Sequence, residues 1–246
     1  MIKEAIILAA GRGSRFKDRT KVMPKGFIEF DGIPIVEKSI RFLLNAGIEK
    51  IIIGTGHGCE YYEQLTEKIP QIITVYNPDY ANCGSMGTLE VCAPYAAGGV
   101  LLLESDLLYE RRALSLLLEN PLENIILASG KTNSGDEVYL DVDEQHNIRK
   151  ISKNADELSA VFAELVGITK LSGDALAYMC DYAQKARSSN PRMEYETALY
   201  SIRDRQLISV LKEEGLIWCE IDDEQHLKRA QEIIYPKLAV SKNYFM

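Results

Sequence analysis

Hydrophobic and polar positions alternate along this 246-residue chain in blocks that predict a layered α/β protein. The run Ala5–Ala10 is continuously apolar and ends at Gly11, which is typical of a strand buried on both faces. After Pro34, apolar residues recur along one stripe of a helix that ends near Gly47. Strand and helix patterns then alternate up to residue 130. This alternation favours a doubly wound, mostly parallel sheet.

The predicted elements are short apolar runs of strand type and longer periodic stretches of helix type. The predicted strands comprise residues 5–10, 26–30, 50–53, 72–76, 100–104, 125–129, 138–142, 148–152, 161–169, 207–211 and 217–221. The predicted helices comprise residues 34–46, 60–69, 85–96, 111–118, 174–187 and 223–235. Several of the strands after residue 130 lie close together in sequence, which favours antiparallel pairing. Without a linker, a repeat or a low-complexity segment, residues 1–246 are expected to form one domain.

Charge is distributed unevenly along the chain. It has 28 Lys and Arg residues against 36 Asp and Glu residues, a net charge of −8. The first 25 residues nevertheless carry a net +5, which leaves −13 for the rest. Their basic residues are Lys3, Arg12, Arg15, Lys17, Arg19, Lys21 and Lys25. A solvated loop and a local anion site both account for this basic segment, whereas the acidic remainder disfavours nucleic acid as a partner.

Composition narrows the class of protein further. No apolar run approaches the ~20 residues of a membrane span, and the start of the chain lacks the regions of a signal peptide. The five cysteines form no C-x-x-C pair, and the three histidines lack zinc-like spacing. We therefore expect a cytoplasmic protein with reduced thiols.

A glycine-rich loop follows the first strand and is the first candidate for chemistry. It reads Leu-Ala-Ala-Gly-Arg-Gly-Ser-Arg over residues 8–15, with Pro24-Lys25 further on. Glycines let backbone N–H groups approach a phosphate closely. Phe16 occupies the place where a dinucleotide fingerprint needs glycine, and no Walker Lys-Ser/Thr follows. A second glycine cluster at residues 54–58 is expected to form a turn between a strand and a helix.

The pattern L-A-A-G-x-G-x-R followed by P-K resembles the signature of nucleotidyltransferases that activate sugar phosphates and small phospho-alcohols with CTP, UTP or GTP. The resemblance extends over essentially the whole chain. It implies a Rossmann-like sheet of the nucleotide-diphospho-sugar transferase type. Residues 1–130 would bind the nucleotide, and residues 131–246, with a smaller antiparallel part, would bind the acceptor.

The same resemblance assigns roles to residues of the loop. The backbone that wraps the nucleotide in the family corresponds here to Leu8, Ala10, Gly11 and Gly13. Arg15 and Lys25 would bind the triphosphate, and fixed cations stabilise the charge that develops when an α-phosphate is attacked. A solvated lysine is the alternative for Lys25.

Metal ligands are expected at the ends of two strands. The resemblance implies that Asp106, after the strand 100–104, holds Mg²⁺; a helix N-cap is the alternative. The alternating stretch 218–222 places Glu220 and Asp222 on one face. Asp222 matches the family's second magnesium ligand, with Glu220 and Asp223 as alternatives.

Two further segments correspond to substrate-binding parts of the family. The base-reading segment corresponds to Ser85, Gly87 and Thr88, where a plain helix-start loop is the alternative. Lys153 matches a lysine that faces the acceptor phosphate, with an exposed lysine as the alternative.

Two sequence runs narrow the choice of acceptor. T-N-S-G-D-E-V-Y and E-I-D-D-E-Q-H-L most resemble the 2-aminoethylphosphonate cytidylyltransferases, followed by the phosphocholine enzymes. A primary ammonium prefers carboxylates, whereas a quaternary ammonium prefers an aromatic cage. The candidate acceptor-binding residues are Asp136, Glu194, Tyr195 and Glu196. Tyr139, Tyr195 and Trp218 could instead build a small cage, so the choice of acceptor stays open.

The sequence therefore predicts a Mg²⁺-dependent cytidylyltransferase. A phosphonate oxygen of the acceptor would attack the α-phosphorus of CTP, giving CMP-2-aminoethylphosphonate and pyrophosphate. The expected partners are CTP and a small amino-phosphonate or phospho-alcohol, and a homodimer is left open. The alternatives are phosphocholine as acceptor, a sugar-1-phosphate nucleotidylyltransferase and an inactive nucleotide-binding regulator; a dehydrogenase is disfavoured.

Overall fold

The computed structural model describes residues 2–16 and 23–241, and the statements below concern that part of the chain. The basic residues Lys17, Arg19 and Lys21 lie outside the described residues. No helix within the described ranges is both long enough and apolar enough to cross a bilayer.

Thirteen strands and eight α-helices are formed within the described ranges. The strands are β1 (Glu4–Ala9), β2 (Glu29–Phe30), β3 (Ile33–Pro34), β4 (Lys50–Thr55), β5 (Ile72–Tyr76), β6 (Val100–Glu104), β7 (Leu107–Tyr109), β8 (Ile125–Ser129), β9 (Tyr139–Val142), β10 (Ile148–Ser152), β11 (Ala163–Leu171), β12 (Ser209–Glu213) and β13 (Trp218–Glu220). The helices are α1 (Ile35–Asn45), α2 (Cys59–Thr66), α3 (Ser85–Cys92), α4 (Arg112–Leu118), α5 (Gly173–Ala186), α6 (Tyr195–Ser201), α7 (Glu224–Arg229) and α8 (Tyr235–Val240).

A nine-stranded sheet forms the centre of the fold. Its main path runs β10-β9-β11-β6-β1-β4-β5, with β8 pairing with β11 and β12 with β8. The strands β6, β1, β4 and β5 are parallel, whereas β11 runs antiparallel to β6, β8 and β9. The α/β fold predicted from the pattern is confirmed, including its antiparallel part beyond residue 130.

Both faces of the sheet are covered, as the apolar run in β1 requires. Ala5, Ile7 and Ala9 pack into the hydrophobic core on one face, together with residues of α1. Ile6 and Leu8 pack into a second core with residues of α3 and α5. Because successive side chains of a strand point to opposite faces, this split explains why every residue from 5 to 10 is apolar.

Several local differences separate the structure from the predicted elements. The strand expected at 26–30 is a 3₁₀ turn at Lys25–Phe27 followed by the two residues of β2. The short strand β7 was not predicted, and it pairs with β13 outside the main sheet. Helix α6 was also not predicted. Both missed elements are short, so their periodicity gives little signal.

The topology of the sheet creates a crevice beside β1. β1 is flanked by β4 on one side and by β6 on the other, so the chain order reverses beside it. In open α/β sheets, ligands bind at the carboxyl ends of the strands at such a switch point. The glycine-rich loop and the acidic end of β6 both leave the sheet there. The second glycine cluster, at 54–58, forms the turn between β4 and α2, as predicted.

Candidate active site

A cleft of about 470 Å³ opens where the loop after β1 approaches the end of β6. Leu8, Ala10, Gly11 and Gly13 lie on its wall. A Cβ at Gly11 would meet nothing within 4 Å, so the backbone there is open to the cleft. Gly13 has a positive φ of 59°, a conformation that favours glycine. The buried ring of Phe16 fixes the end of the loop in the core.

Lys25 lies between two buried aspartates. Its Nζ donates to Asp222 Oδ1 at 2.6 Å and forms an ion pair with Asp106. Burial acts to lower the pKa of Lys25, but the charges of Asp106 and Asp222 outweigh it and raise the pKa. Burial likewise acts to raise the pKa of Asp222, but Lys25 and Arg15 hold it well below its usual range. Lys25 is therefore a fixed cation at the end of β6.

A second group of charges links the glycine-rich loop to the acceptor half. Arg15 donates through Nη1 to Asp222 Oδ2 at 3.0 Å and also pairs with Asp136. Lys153, which directly follows β10, donates to Asp136 Oδ1 at 3.0 Å. Both carboxylate oxygens of Asp136 are thus used by cations. Asp136, expected to bind the acceptor, thus contacts Arg15 and Lys153 in the free protein.

Carboxylates outnumber cations at the end of β6. The acidic oxygens of Glu104, Asp106 and Glu220 lie within 4.8 Å of one another. Burial raises the pKa of Glu104 and of Glu220 well above its usual range, and so do the charges of neighbouring carboxylates. Oxygen donors in this number and charge are the ligands that Mg²⁺ prefers. The donor set of Glu104, Asp106 and Glu220 therefore fits a divalent cation. Asp222, the second ligand predicted from the sequence, is not one of these three and lies across Lys25 from Asp106.

The predicted base-reading segment forms the start of α3. Thr88 is buried, lines the cleft and accepts a hydrogen bond at 3.0 Å from Asn77 Nδ2. Ser85 also lines the cleft. Gly87 packs against Cys83, because a Cβ there would lie 2.6 Å from the Cys83 Sγ. Gly87 therefore contributes to the shape of the segment.

Glu194 and Tyr195 clasp the beginning of α3. The backbone N–H of Ser85 donates to Glu194 Oε2 at 2.8 Å, and the backbone N–H of Tyr195 donates to Ser85 Oγ at 2.8 Å. Gly84 allows this approach, since a Cβ there would lie 2.3 Å from the carbonyl oxygen of Met193. Glu194, expected at the acceptor, thus contacts the predicted base-reading segment instead.

A small chamber of about 70 Å³ adjoins the cleft. Glu104, Lys153, Glu196 and Glu220 line both spaces. Within the described part of the chain, the buried Oε2 of Glu196 has no hydrogen-bond partner. Burial, together with the charge of Glu194, raises the pKa of Glu196 to about 7. The chamber is therefore acidic, and one of its buried carboxylate oxygens can still accept a hydrogen bond from a ligand.

Several residues that line the cleft were not predicted from the sequence, among them Glu104, Tyr80 and Arg192. Glu104 lies two residues before Asp106, and strand alternation at Leu-Glu-Ser-Asp could have placed the two carboxylates on one face. Tyr80 and Arg192 line the cleft from loops. Tyr80 packs on Gly56, where a Cβ would lie 2.6 Å from the Tyr80 Cβ. No local pattern marks either residue.

Comparison with known proteins places the chain among nucleotidyltransferases. The model of the MobA-like NTP transferase domain matches residues 5–167. A 2-aminoethylphosphonate cytidylyltransferase from Lancefieldella rimae is 29% identical over 172 residues, covering 68% of this chain and 66% of that relative. A choline-phosphate cytidylyltransferase from Haemophilus influenzae is 26% identical over 196 residues, covering 78% and 81%. The chain thus matches just under two thirds of the first relative's length.

Solved structures show the same architecture. The inositol-1-phosphate CTP transferase from T. maritima superimposes with a TM-score of 0.78 at 20% identity, covering 95% of this chain and 98% of that one. The CTP:phosphocholine cytidylyltransferase from Streptococcus pneumoniae gives 0.76 at 22% identity, covering 94% and 99%. At these identities the likeness establishes the fold, and the resemblance inferred from the sequence motifs is confirmed by the domain match. The chain belongs to the MobA-like NTP transferase family.

Proposed function

We propose that this protein is a CTP:2-aminoethylphosphonate cytidylyltransferase. The observation that carries the proposal is a cleft that contains the cations Arg15, Lys25 and Lys153, with an acidic chamber beside it. Lys153 stands at their junction, where it can bind a phosphonate while the chamber receives an ammonium group. A zwitterion with a short spacer matches this separation of charge. The choice of CTP rests on the similarity to cytidylyltransferases.

The chamber favours a primary ammonium over a quaternary one. Trp218 is the one aromatic side chain among the described residues that line it, whereas a cage needs several rings. Tyr195 is buried beside Glu104 and Glu196, whose charges, after burial, raise its pKa well above the usual range. Tyr139 lies outside the chamber lining and donates weakly to Glu137 at 3.5 Å. Carboxylate oxygens that accept N–H donors are therefore the dominant chemistry of this wall.

The reaction we propose is a direct displacement. An anionic oxygen of the acceptor phosphonate forms a bond to the α-phosphorus of CTP, while the bond from that phosphorus to the bridging oxygen of pyrophosphate breaks. The attacking oxygen is already deprotonated, so no general base and no protein nucleophile are required. The protein's part is to position two anions and to stabilise the charge that develops between them.

The cations of the cleft have distinct roles in this proposal. Lys25, held by buried aspartates, faces the α-phosphate. Arg15 binds the β- and γ-phosphates, and Lys153 offsets the repulsion between acceptor and nucleotide. The backbone of Gly11 and Gly13 supports the triphosphate.

Mg²⁺ completes the proposed site. Asp106 would hold the ion together with Glu104 and Glu220, the three carboxylates whose oxygens lie within 4.8 Å of one another. Asp222, which Lys25 separates from Asp106, would be a further oxygen donor beside them. When bound, the ion supplies positive charge to the phosphates and to the departing pyrophosphate.

Phosphocholine is the second candidate acceptor, because the choline-phosphate relative from H. influenzae is matched over 81% of its length. A panel assay separates the two. Pyrophosphate release is measured with CTP, UTP or GTP, Mg²⁺, and 2-aminoethylphosphonate, phosphocholine, phosphoethanolamine or glucose-1-phosphate. We expect the highest kcat/KM with CTP and 2-aminoethylphosphonate. A preference for phosphocholine would replace the acceptor assignment, and no release with any pair would contradict the proposed reaction.

A further inference from the structure

Asp136 occupies an unusual place between two cations that come from distant parts of the chain. Its Oδ2 pairs with Nη1 of Arg15, 121 residues earlier, and its Oδ1 accepts from Nζ of Lys153, 17 residues later. The Arg15 and Lys153 side chains are about half exposed, whereas that of Asp136 is only 25% exposed. Two neighbouring cations repel each other, and the carboxylate between them offsets that repulsion.

The segment that carries Asp136 is anchored at its other end. Both oxygens of the buried Glu164 accept from the backbone N–H of Thr132, at 2.9 and 2.8 Å, and Arg229 donates to the carbonyl oxygen of Thr132 at 3.0 Å. The Nε2 of His226 lies 3.2 Å from the carbonyl oxygen of Ser134. These contacts come from β11 and α7. Residues 132–136 therefore form a segment, the strap, which is held in place by those two elements and lines the chamber. The position of Asp136 is therefore built into the fold.

We propose that Asp136 is a positioning residue that holds Arg15 and Lys153 side by side, so that the nucleotide phosphates and the attacking phosphonate meet at one point. The inference rests on the proposed function for the roles of the two cations. An arginine has five N–H donors and a lysine has three, so each can keep Asp136 as a partner while it binds a substrate anion. This role differs from the ammonium-binding role that the sequence suggested for Asp136.

The contacts also predict which substrate depends more on Asp136. Arg15 keeps a second carboxylate partner in Asp222, whereas Asp136 is the one ion-pair partner of Lys153 among the described residues. Loss of the carboxylate therefore frees Lys153 more than it frees Arg15. The acceptor side of the reaction should respond more strongly than the nucleotide side.

The first test is kinetic and uses Asp136→Asn, which keeps the size of the side chain and removes its charge. We expect kcat to fall by about tenfold and the acceptor KM to rise by about tenfold, with less than about a threefold change in the CTP KM. The matched control is Asp181→Asn, which breaks the exposed Lys185–Asp181 pair on α5 and should leave all constants unchanged. A lower CTP KM with unchanged kcat would mean that Asp136 only competes with substrate, and would overturn the proposal.

A second acceptor separates positioning from ammonium binding. Ethylphosphonate lacks the ammonium group but keeps the attacking oxygen. If Asp136 positions the cations, the loss caused by Asp136→Asn persists with ethylphosphonate. If Asp136 binds the ammonium, the loss disappears with this acceptor, and the positioning role is excluded.

A third measurement does not depend on turnover, so it separates this inference from the proposed function. Acylation of lysines in the free protein is followed by peptide mass spectrometry. Asp136→Asn should make Lys153 react at least about threefold faster, because a paired ammonium resists deprotonation, while Lys185 stays unchanged. Asp181→Asn should leave the Lys153 rate unchanged. Equal Lys153 rates in wild type and Asp136→Asn would overturn the pairing itself, and a melting temperature within about 2 °C of wild type confirms that the variant is folded.

Discussion

Lys25→Met removes the cation that separates Asp106 from Asp222, and its effect on stability follows from burial. Only 15% of the Lys25 side chain is exposed, and the two aspartate side chains are 9% and 10% exposed. Breaking a buried ion pair by removing one partner costs about 3–5 kcal/mol, because a charge is left without compensation. The lower value is appropriate here because Asp222 keeps Arg15 as a partner.

This cost converts into a melting temperature. For a chain of this size, each kcal/mol shifts the midpoint by about 2–4 °C, so a loss of about 3 kcal/mol lowers it by about 6–12 °C. The measurement is differential scanning calorimetry of the metal-free protein near pH 7. The control is Lys185→Met, which removes an exposed pair on α5 and should shift the midpoint by no more than about 2 °C.

Activity and stability separate in the double variant Lys25→Met/Asp106→Asn. Lys25→Met leaves the buried Asp106 without its cation, whereas Asp222 keeps Arg15, so removing the Asp106 charge as well should recover most of the loss in the midpoint. Turnover should stay about 10²–10³-fold below wild type in both variants, because the fixed cation at the α-phosphate is missing. A single variant that melts like wild type, or that keeps wild-type turnover, would refute the assignment of Lys25 as a buried, catalytic cation.

Other positions give shorter predictions. Gly84→Ala should lower the melting temperature and weaken CTP binding, since the new Cβ would lie 2.3 Å from the Met193 carbonyl oxygen; Gly98→Ala, with open space around its Cβ, should change neither. Gly11→Ala should leave the melting temperature unchanged but raise the Kd for CTP in calorimetry, because its Cβ points into free space that a nucleotide would fill. The pKa of Glu196 is raised from 4.5 to about 7, so this carboxylate destabilises the free protein increasingly as pH rises between those values. Glu196→Gln should therefore melt at a higher temperature than wild type at pH 8 and at the same temperature at pH 4. The acceptor KM of the variant should be higher than that of wild type, and it should fall less between pH 6 and pH 8. Equal melting temperatures at pH 8 would contradict the buried position of the carboxylate.

Much of the fold follows from local pattern. The apolar run 5–10 predicts a strand covered on both faces, and β1 lies in the middle of the sheet with a core on each side. The pattern does not show which strands pair with one another in the sheet. Strand β11 is buried along all nine residues because it runs antiparallel between β6 and β8, and neither its direction nor its neighbours can be derived from its own sequence.

Many residues of the candidate site could be predicted from the sequence, but most of their contacts could not. Lys25 and Asp106 are marked by their place in motifs next to strands, and the structure brings them into contact. The contacts of Glu194 and Asp136 depend on distant segments: Glu194 meets Ser85 109 residues away, and Asp136 meets Arg15 121 residues away. Sequence reasoning identified both as charged residues of the acceptor half. Which partner each would meet is decided by the packing of α6 against α3 and by the anchored strap 132–136.

The most direct test of the account follows the oxygen atoms of the acceptor. The protein is incubated with CTP, Mg²⁺ and 2-aminoethylphosphonate labelled with ¹⁸O in its phosphonate group, and the products are resolved by ³¹P NMR. Direct attack predicts CMP-2-aminoethylphosphonate with ¹⁸O in the bridge between its two phosphorus atoms, together with unlabelled pyrophosphate. An unlabelled bridge, or the absence of this product, would contradict direct transfer of a cytidylyl group to the phosphonate.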